Sequence, residues 1–409
     1  MFENLLHQNA SLQITSDIKN NCLPPAILFS GSLSSGKLTA ALETSRILSC
    51  KESSKGLWNC SCKNCLQHKS LITSDLLLMG SRDCTPEIAA SLFAFEKAVF
   101  NSTKYLAAAR YLFIRSIRKL TMRFNPILWQ GEDKYSKMVP VLSEIQEELE
   151  TLDFPHELPN EEKLKKTCEK LLKLCSKLES EFLYDSIPIS NVRNMASWVQ
   201  LKSPNGNKTV IIENADRMLD SVRNALLKTL EEPPSDTLFI LTTSKRNAVM
   251  PTILSRVRTY SFSSRTLCEQ QEVIERVFHN PQFEGSIDDY LLTYLPVQPE
   301  EIKKIANDFF CAIVCSEIPS VSEVVKKCGD FEPRVSLKIF LNEIGKIKNK
   351  LVLSAAGTEA CFQLFEALKN CWTNVTVFNQ GPVACLEILI RDIAKINKSN
   401  GNVLRCAVL

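Results

Sequence analysis

The stretch that decides the fold lies near the start of the chain: Ala26-Ile27-Leu28-Phe29-Ser30-Gly31-Ser32-Leu33-Ser34-Ser35-Gly36-Lys37-Leu38-Thr39. Its pattern predicts a buried strand, a turn of small residues and a helix that continues to Leu48. Gly31 and the pair Gly36-Lys37 have the spacing of a phosphate loop, where backbone N–H groups at a helix N-terminus bind phosphate and the lysine reaches the outer oxygens. An ordinary connecting loop can have a similar composition, so a second signal is needed.

That second signal is an apolar strand ending in acidic residues, Val210-Ile211-Ile212-Glu213-Asn214-Ala215-Asp216. In nucleotide-hydrolysing sites such a strand holds metal and water opposite the phosphate loop. Further apolar runs at 76–79 and 238–241 alternate with helical patterns, which predicts a parallel sheet covered by helices on both faces. The carboxyl ends of the strands should then bring the loop, Glu213 and Thr243 together.

Two positions depart from a working hydrolase. Leu38 stands where a magnesium-binding hydroxyl should follow the lysine, and Thr39 is rotated from that position by roughly 100° around the helix. Asn214 stands where ATPases carry a water-polarising carboxylate, and a neutral amide cannot accept a proton. The predicted nucleotide-binding residues are Gly31, Ser34, Ser35, Gly36, Lys37, Leu38, Thr39, Glu213, Asn214 and Thr243. We expect this site to be able to hold ATP with Mg²⁺ but not to hydrolyse it.

Four of the sixteen cysteines, Cys50, Cys60, Cys62 and Cys65, lie within a span of sixteen residues. Four thiolates can surround one tetrahedral zinc ion, and a closed four-ligand site is structural because no position is open for catalysis. His68 could replace one thiolate, and four unrelated reduced cysteines remain the alternative. Most other cysteines lie singly on apolar faces and are expected to be small core residues.

Length and composition set broad limits. The 409 residues are enough for two or three domains, and a net charge of +3 is too small to indicate a nucleic-acid-binding protein by itself. The chain opens without a basic and then apolar signal segment, and no uncharged apolar run is long enough to span a bilayer. These features predict a cytoplasmic protein with reduced thiols and no membrane partner.

Between the two halves of the α/β pattern, residues 84–186 have long helical periodicity, with helices expected at 87–124, 138–152 and 160–184. One face of the first helix carries four cations, Arg115, Arg118, Lys119 and Arg123. This basic stripe could lie on nucleic acid or on an acidic partner, or it could be a solvated face. After Arg265 only helical patterns remain, and residues 397–409 are expected to form a loose tail.

Three runs closely resemble the AAA+ clamp-loader subunits of bacterial DNA polymerase III. They are Ile211-Ile212-Glu213-Asn214-Ala215-Asp216-Arg217-Met218, Asn224-Ala225-Leu226-Leu227-Lys228-Thr229-Leu230-Glu231-Glu232-Pro233-Pro234 and Pro251-Thr252-Ile253-Leu254-Ser255-Arg256. The four-cysteine module and Leu23-Pro24-Pro25-Ala26 are also similar to the family, so that the resemblance covers 1–83 and 187–265. Near the C-terminus the best match is Asn379-Gln380-Gly381 before a helix at 385–396.

The resemblance implies an α/β AAA+ P-loop domain at 1–265, with a zinc module at about 50–65 and a helical insertion at about 84–186. It implies a small helical lid at 266–315 and an all-α oligomerisation collar at 316–409. Such subunits form a hetero-pentamer that opens a sliding clamp and closes it on primed DNA. Arg256 matches the arginine that a subunit of the delta-prime type supplies in trans to a neighbouring ATP site, although Val257 replaces the usual cysteine. The alternative is that Arg256 is one of several surface arginines.

Three functions follow from these observations. A non-hydrolysing, delta-prime-like subunit is favoured by Leu38, Asn214 and Arg256. A gamma/tau-like ATPase motor is the alternative, because Lys37 and Glu213 are retained. A zinc-containing factor that binds DNA through the basic stripe is a lesser alternative.

Overall fold

The computed structural model describes residues 1–52, 55–203, 206–347, 351, 355–378 and 380–408. The chain divides into two compact units, the first comprising Met1–Leu178 with Phe182–Tyr290 and the second Glu179–Glu181 with Leu291–Leu409. This division falls inside the expected lid at 266–315. The lid and collar boundaries therefore stay predictions.

The first unit is built on a five-stranded sheet, whose strands are parallel as predicted. Its strands are β1 (Ala26–Gly31), β2 (Leu76–Met79), β3 (Lys208–Ile212), β4 (Thr237–Thr243) and β5 (Arg258–Phe262), in the order β2-β3-β4-β1-β5. The sequence analysis missed β5. This edge strand has both exposed and buried side chains over only five residues, and it lacks the continuous apolar run of the four predicted strands.

Twelve helices begin in this unit within the described residues. They are α1 (Ala10–Lys19), α2 (Lys37–Ser49), α3 (Lys63–Ser70), α4 (Thr85–Phe100), α5 (Leu106–Thr121), α6 (Tyr135–Leu152), α7 (Glu161–Phe182), α8 (Ile189–Val199), α9 (Asp220–Glu231), α10 (Pro251–Leu254), α11 (Leu267–Phe278) and α12 (Ile287–Leu292). The helix expected at 87–124 is wrong in one respect, since it is two helices, α4 and α5, separated by residues 101–105. Ser102 in this break has a left-handed backbone, with φ 46°.

Both faces of the sheet are covered, because successive strand residues point to opposite sides. On one face Leu28, Val210 and Phe239 are fully buried in a core shared with the helices of the insertion. On the other face Ile27 and Ile211 are fully buried against side chains of α1 and α2. The register places Ser30 beside Thr243 and Ile212 beside Leu241, so that the strand ends lie at one edge.

The described part of the second unit is helical. Its helices are α13 (Pro299–Val314), α14 (Val321–Lys327), α15 (Val335–Gly345), α16 (Ala355–Thr376), α17 (Pro382–Ser399) and α18 (Val403–Val408). The expected loose tail at 397–409 is wrong: α17 continues to Ser399, α18 follows, and Leu404 is fully buried. Asn379, from the best C-terminal match, lies outside the described residues. None of the helices that the structure describes combines the length and the apolar character needed to cross a bilayer.

Gly80 should tolerate an added side chain less well than Gly131. Both glycines have positive φ, 105° and 82°, which costs an L-residue roughly 1–2 kcal/mol. A Cβ on Gly80 would also lie 2.4 Å from the carbonyl oxygen of Glu213, whereas one on Gly131 meets nothing within 4 Å. We expect Gly131→Ala to lower the free energy of unfolding by about 1 kcal/mol and Gly80→Ala by about 3 kcal/mol or more. Urea unfolding measures both, and equal losses would contradict the close approach of β2 to β3.

Candidate functional site

The phosphate loop joins β1 to α2 and closes around its own lysine. Gly36 takes a left-handed conformation, φ 90°, directly before the helix. The Lys37 ammonium donates hydrogen bonds to the carbonyl oxygens of Gly31, at 2.8 Å, and Ser32, and to Ser35 Oγ at 3.2 Å. Burial lowers the pKa of Lys37 to about 8, against the opposing effect of Glu213. The lysine is therefore still mostly protonated at neutral pH.

The outside of the loop is held by side chains from the segment that follows the sheet. Arg265 donates hydrogen bonds to the carbonyl oxygens of Ser34 and Leu6, the latter at 2.8 Å. Ser34 Oγ donates to the carboxylate of Asp288 at the start of α12. A phosphate entering the loop would consequently approach a carboxylate, which opposes its binding.

The position after the lysine offers no oxygen to a metal. Leu38 is 5% exposed and belongs to the apolar core between the sheet and α2. Thr39 is the next residue along the helix, about 100° away around its axis. Leu38, which departs from the pattern of a working hydrolase, is therefore a packed core residue.

Glu213, directly after β3, is buried and its two carboxylate oxygens are both engaged. Arg82 Nη1 donates to one oxygen at 3.2 Å, and Arg123 Nη2 donates to the other. Arg123 also donates to the carbonyl oxygen of Gly80 at 2.8 Å, and Arg82 pairs with Glu87 at 2.9 Å. Burial alone would raise the pKa of Glu213, but Arg123 and Arg82 outweigh it and lower the pKa. Glu213 is therefore a charged carboxylate whose charge is already compensated.

Magnesium does not fit this arrangement. Mg²⁺ needs close to six oxygen ligands in octahedral geometry, and it is repelled by neighbouring cations. Here Leu38 supplies no ligand, and two guanidinium groups already bind the oxygens of Glu213. The donor set therefore fits a phosphate group better than it fits Mg²⁺.

The remaining polar residues at the strand ends hold the backbone. Asn214 has a left-handed conformation, φ 53°, and its Nδ2 donates to the carbonyl oxygen of Ser81 at 2.7 Å. Thr243 Oγ1 donates to Asp216 and accepts from the Lys245 N–H at 2.9 Å. Each side chain connects the ends of two strands.

Arg256 follows the short helix α10 and is about one-third exposed. Its Nη1 donates to the carbonyl oxygen of Thr252 at 2.7 Å and to Ser255 Oγ at 3.3 Å. Its Nη2 pairs with the carboxylate of Glu231, the last residue of α9. The guanidinium is thus fixed at the protein surface.

The four cysteines predicted as zinc ligands come together. Their sulfur atoms, from Cys50, Cys60, Cys62 and Cys65, all lie within 4.8 Å of one another. The Cys50 and Cys60 sulfurs are 3.7 Å apart, close to the roughly 3.8 Å that Zn–S bonds of about 2.3 Å impose in a tetrahedron. His68 lies outside this cluster, with Nδ1 3.4 Å from Ser45 Oγ, so the thiols complete the set without it. The donor set therefore fits Zn²⁺.

One buried arginine beside the cysteines was not found from the sequence. Arg46 pairs with Glu43 through two contacts of 2.6 and 2.9 Å, and its Nη1 donates to Cys65 Sγ at 3.2 Å. A guanidinium beside a thiolate stabilises the charged form that metals bind. No local motif marks this role, because Arg46 lies on α2, which otherwise serves the phosphate loop.

The four cations of the basic stripe, three on α5 and Arg123 directly after it, are engaged within the protein, so the expected surface for nucleic acid or an acidic partner and the solvated face are wrong. Arg115 and Arg118 donate to the carbonyl oxygens of residues 68–70, at the C-terminal end of α3. Cations are favourable at that end, where helix carbonyls lack intrahelical partners. Arg118 also pairs with Asp153.

The other two cations of the stripe meet carboxylates. Lys119 pairs with Glu87, and Arg123 pairs with Glu213. Burial tends to raise the pKa of Glu87, but Lys119 and Arg82 lower it to about 2. The stripe therefore holds the insertion against the cysteine module and the sheet edge, and its described contacts lie within the chain.

Comparisons with known proteins identify the family of the chain. The family model described as "DNA polymerase III, delta subunit" matches residues 6–266, which include both the phosphate loop and Arg256. The chain belongs to this family of clamp-loader subunits and is similar to the delta-prime subunits among its relatives.

Individual relatives of this clamp-loader subunit match over shorter stretches. The DNA polymerase III subunit delta-prime of Haemophilus influenzae is 33% identical over 107 residues, which are 23% of this chain and 33% of the relative. The delta-prime subunit of Pseudomonas aeruginosa is 39% identical over 80 residues, which are 19% of this chain and 24% of the relative. The DNA polymerase III subunit gamma/tau of Mycobacterium bovis is 36% identical over 77 residues, which are 16% of this chain and 13% of the relative. The chain thus spans a third or less of the length of these relatives.

A solved structure, a gamma subunit-related protein of Thermotoga maritima, aligns with 51% of the clamp-loader subunit described here and 79% of its own chain. The TM-score is 0.26 and the sequence identity 16%.

Replacing one cysteine of the cluster should abolish metal binding. We expect the chain, purified under reducing conditions, to carry about one zinc per molecule and Cys62→Ser to carry almost none, because three thiolates hold the ion far less tightly than four. Inductively coupled plasma mass spectrometry measures the content. Cys268→Ser, at an exposed cysteine outside the cluster, is the control and should keep its zinc. A zinc-free wild-type chain, or full zinc in Cys62→Ser, would refute the assignment.

Proposed function

We propose that this chain is a non-hydrolysing, delta-prime-like subunit of the clamp loader of the replicative DNA polymerase III. The observation that carries the proposal is the pairing of Glu213 with Arg82 and Arg123, which commits the acidic strand to internal ion pairs. Leu38 in the core and Asn214 in a backbone contact support it. A subunit with this site has no means of polarising water against a phosphoryl group.

In the proposed role, Arg256 acts on a neighbouring subunit. Its guanidinium would stabilise the charge that develops on the transferred phosphoryl group of an ATP molecule bound to that neighbouring subunit. The exposure of Arg256 and its fixed position at the end of α10 support this role. The partners would be the other subunits of a cytoplasmic hetero-pentamer, the sliding clamp and primed DNA, the last reached through the assembled complex.

Nucleotide and zinc have separate roles in this proposal. The N-terminus of α2 and Lys37 would hold phosphate oxygens, weakly because Asp288 lies beside the loop. Zinc would be held by the four clustered cysteines, where it would fix the turn between α2 and α3 and supply no catalysis.

The second candidate is a gamma/tau-like ATPase motor. It is favoured by the retained Lys37 and Glu213, and by the match to a gamma/tau relative. The two arginines on Glu213 oppose it. The DNA-binding factor loses its support, since the basic stripe is paired within the chain.

Within the assembled complex, Arg256→Ala should slow ATP turnover at the adjoining site by about 10² to 10³-fold, because that site loses the charge that stabilises its transition state. Lys37→Ala should leave turnover of the complex unchanged. Pre-steady-state phosphate release separates the affected site from the others. Arg246→Ala, at an exposed arginine of the same region, is the control.

Two results would contradict the proposal. One is full turnover at every site in the complex with Arg256→Ala. The other is ATP hydrolysis by the isolated chain that Lys37→Ala abolishes, which would favour the motor.

A further inference from the structure

The guanidinium of Arg256 is held from two sides. The backbone carbonyl of Thr252 and the hydroxyl of Ser255 accept hydrogen bonds from Nη1, and both belong to the same short segment as Arg256 itself. Glu231 lies 25 residues earlier and belongs to another helix, α9. It is therefore the contact that fixes the direction of the side chain relative to the rest of the sheet domain.

Without the contact with Glu231, the orientation of the Arg256 side chain would be less restricted. An arginine side chain carries about 2 kcal/mol of rotamer entropy, which must be lost when the group docks on a phosphate. The Nε of Arg256 is buried and has no hydrogen-bond partner among the described residues. This nitrogen therefore contributes nothing to holding the guanidinium, which depends on its two Nη groups.

We propose that Glu231 is a positioning residue for Arg256, which rests on the trans role proposed above. Its carboxylate binds Nη2 and holds the guanidinium in one orientation before a neighbouring subunit arrives. A group fixed in advance reaches the transition state without a further loss of conformational freedom. Glu231 thus acts through Arg256 and touches no substrate.

The adjacent Glu232 provides a matched control. It is exposed like Glu231, carries the same charge, and forms no ion pair within the described chain. Glu231→Gln and Glu232→Gln therefore change the net charge equally at nearly the same place, while only the first removes the contact with Arg256.

The experiment measures ATP turnover by the assembled complex at the site that adjoins this chain. We expect Glu231→Gln to lower kcat about two- to fivefold, the size expected for a partly exposed ion pair. KM for ATP should stay unchanged, because the guanidinium acts on transition-state charge. Glu232→Gln should match the wild type, and Glu231→Gln should have no further effect in an Arg256→Ala background. Glu231→Asp, which keeps the charge on a shorter side chain, should recover part of the rate.

The outcomes separate the two proposals. If Arg256→Ala slows turnover but Glu231→Gln equals the wild type or exceeds it, the positioning role is overturned and the trans arginine stands. If Glu231→Gln slows turnover equally with and without Arg256, Glu231 acts by another route and the inference is also overturned. If Arg256→Ala has no effect, the proposed function itself fails.

Discussion

The structure depends on the ion pairs between Glu213 and two arginines at the carboxyl edge of the sheet. Taking a carboxylate out of water is costly, and removal of one partner of a buried pair typically costs 3–5 kcal/mol. Arg82 comes from the turn after β2 and Arg123 from the turn after α5. The acidic strand, the neighbouring strand and the insertion are therefore held by one cluster of charges, which engages both oxygens of Glu213.

The insertion at 84–186 has a structural role in these contacts. Among its cations, Arg123 pairs with Glu213 at the sheet edge, Lys119 pairs with Glu87 of α4, and Arg118 donates to a C-terminal carbonyl of α3 in the cysteine module. Helix α5 and the residues directly after it consequently connect the end of β3 to the proposed zinc module. The cations that the sequence analysis considered for DNA binding are engaged in contacts within the chain. The exposed Arg256, by contrast, remains on the surface.

Prediction from the sequence worked where the signal is local. The apolar runs at 26–29, 76–79, 209–213 and 238–241 predicted the parallel sheet, and close spacing predicted the cysteine cluster. Prediction from the sequence failed where a feature depends on contacts between residues that are far apart in the chain. Periodicity placed Arg123 on a helix face, but it could not tell that this face meets Glu213, 90 residues away. The break between α4 and α5 and the edge strand β5 were missed for a related reason, since tertiary packing decides both.

The most direct test of the account concerns the metal. If Arg82 and Arg123 compensate the negative charge of Glu213, Mg²⁺ cannot strengthen the binding of a nucleotide to this chain. Isothermal titration calorimetry of the isolated chain with ATP should therefore give the same affinity, or the same lack of binding, in MgCl₂ and in EDTA. Tightening of tenfold or more by Mg²⁺ that Glu213→Gln removes would contradict the account.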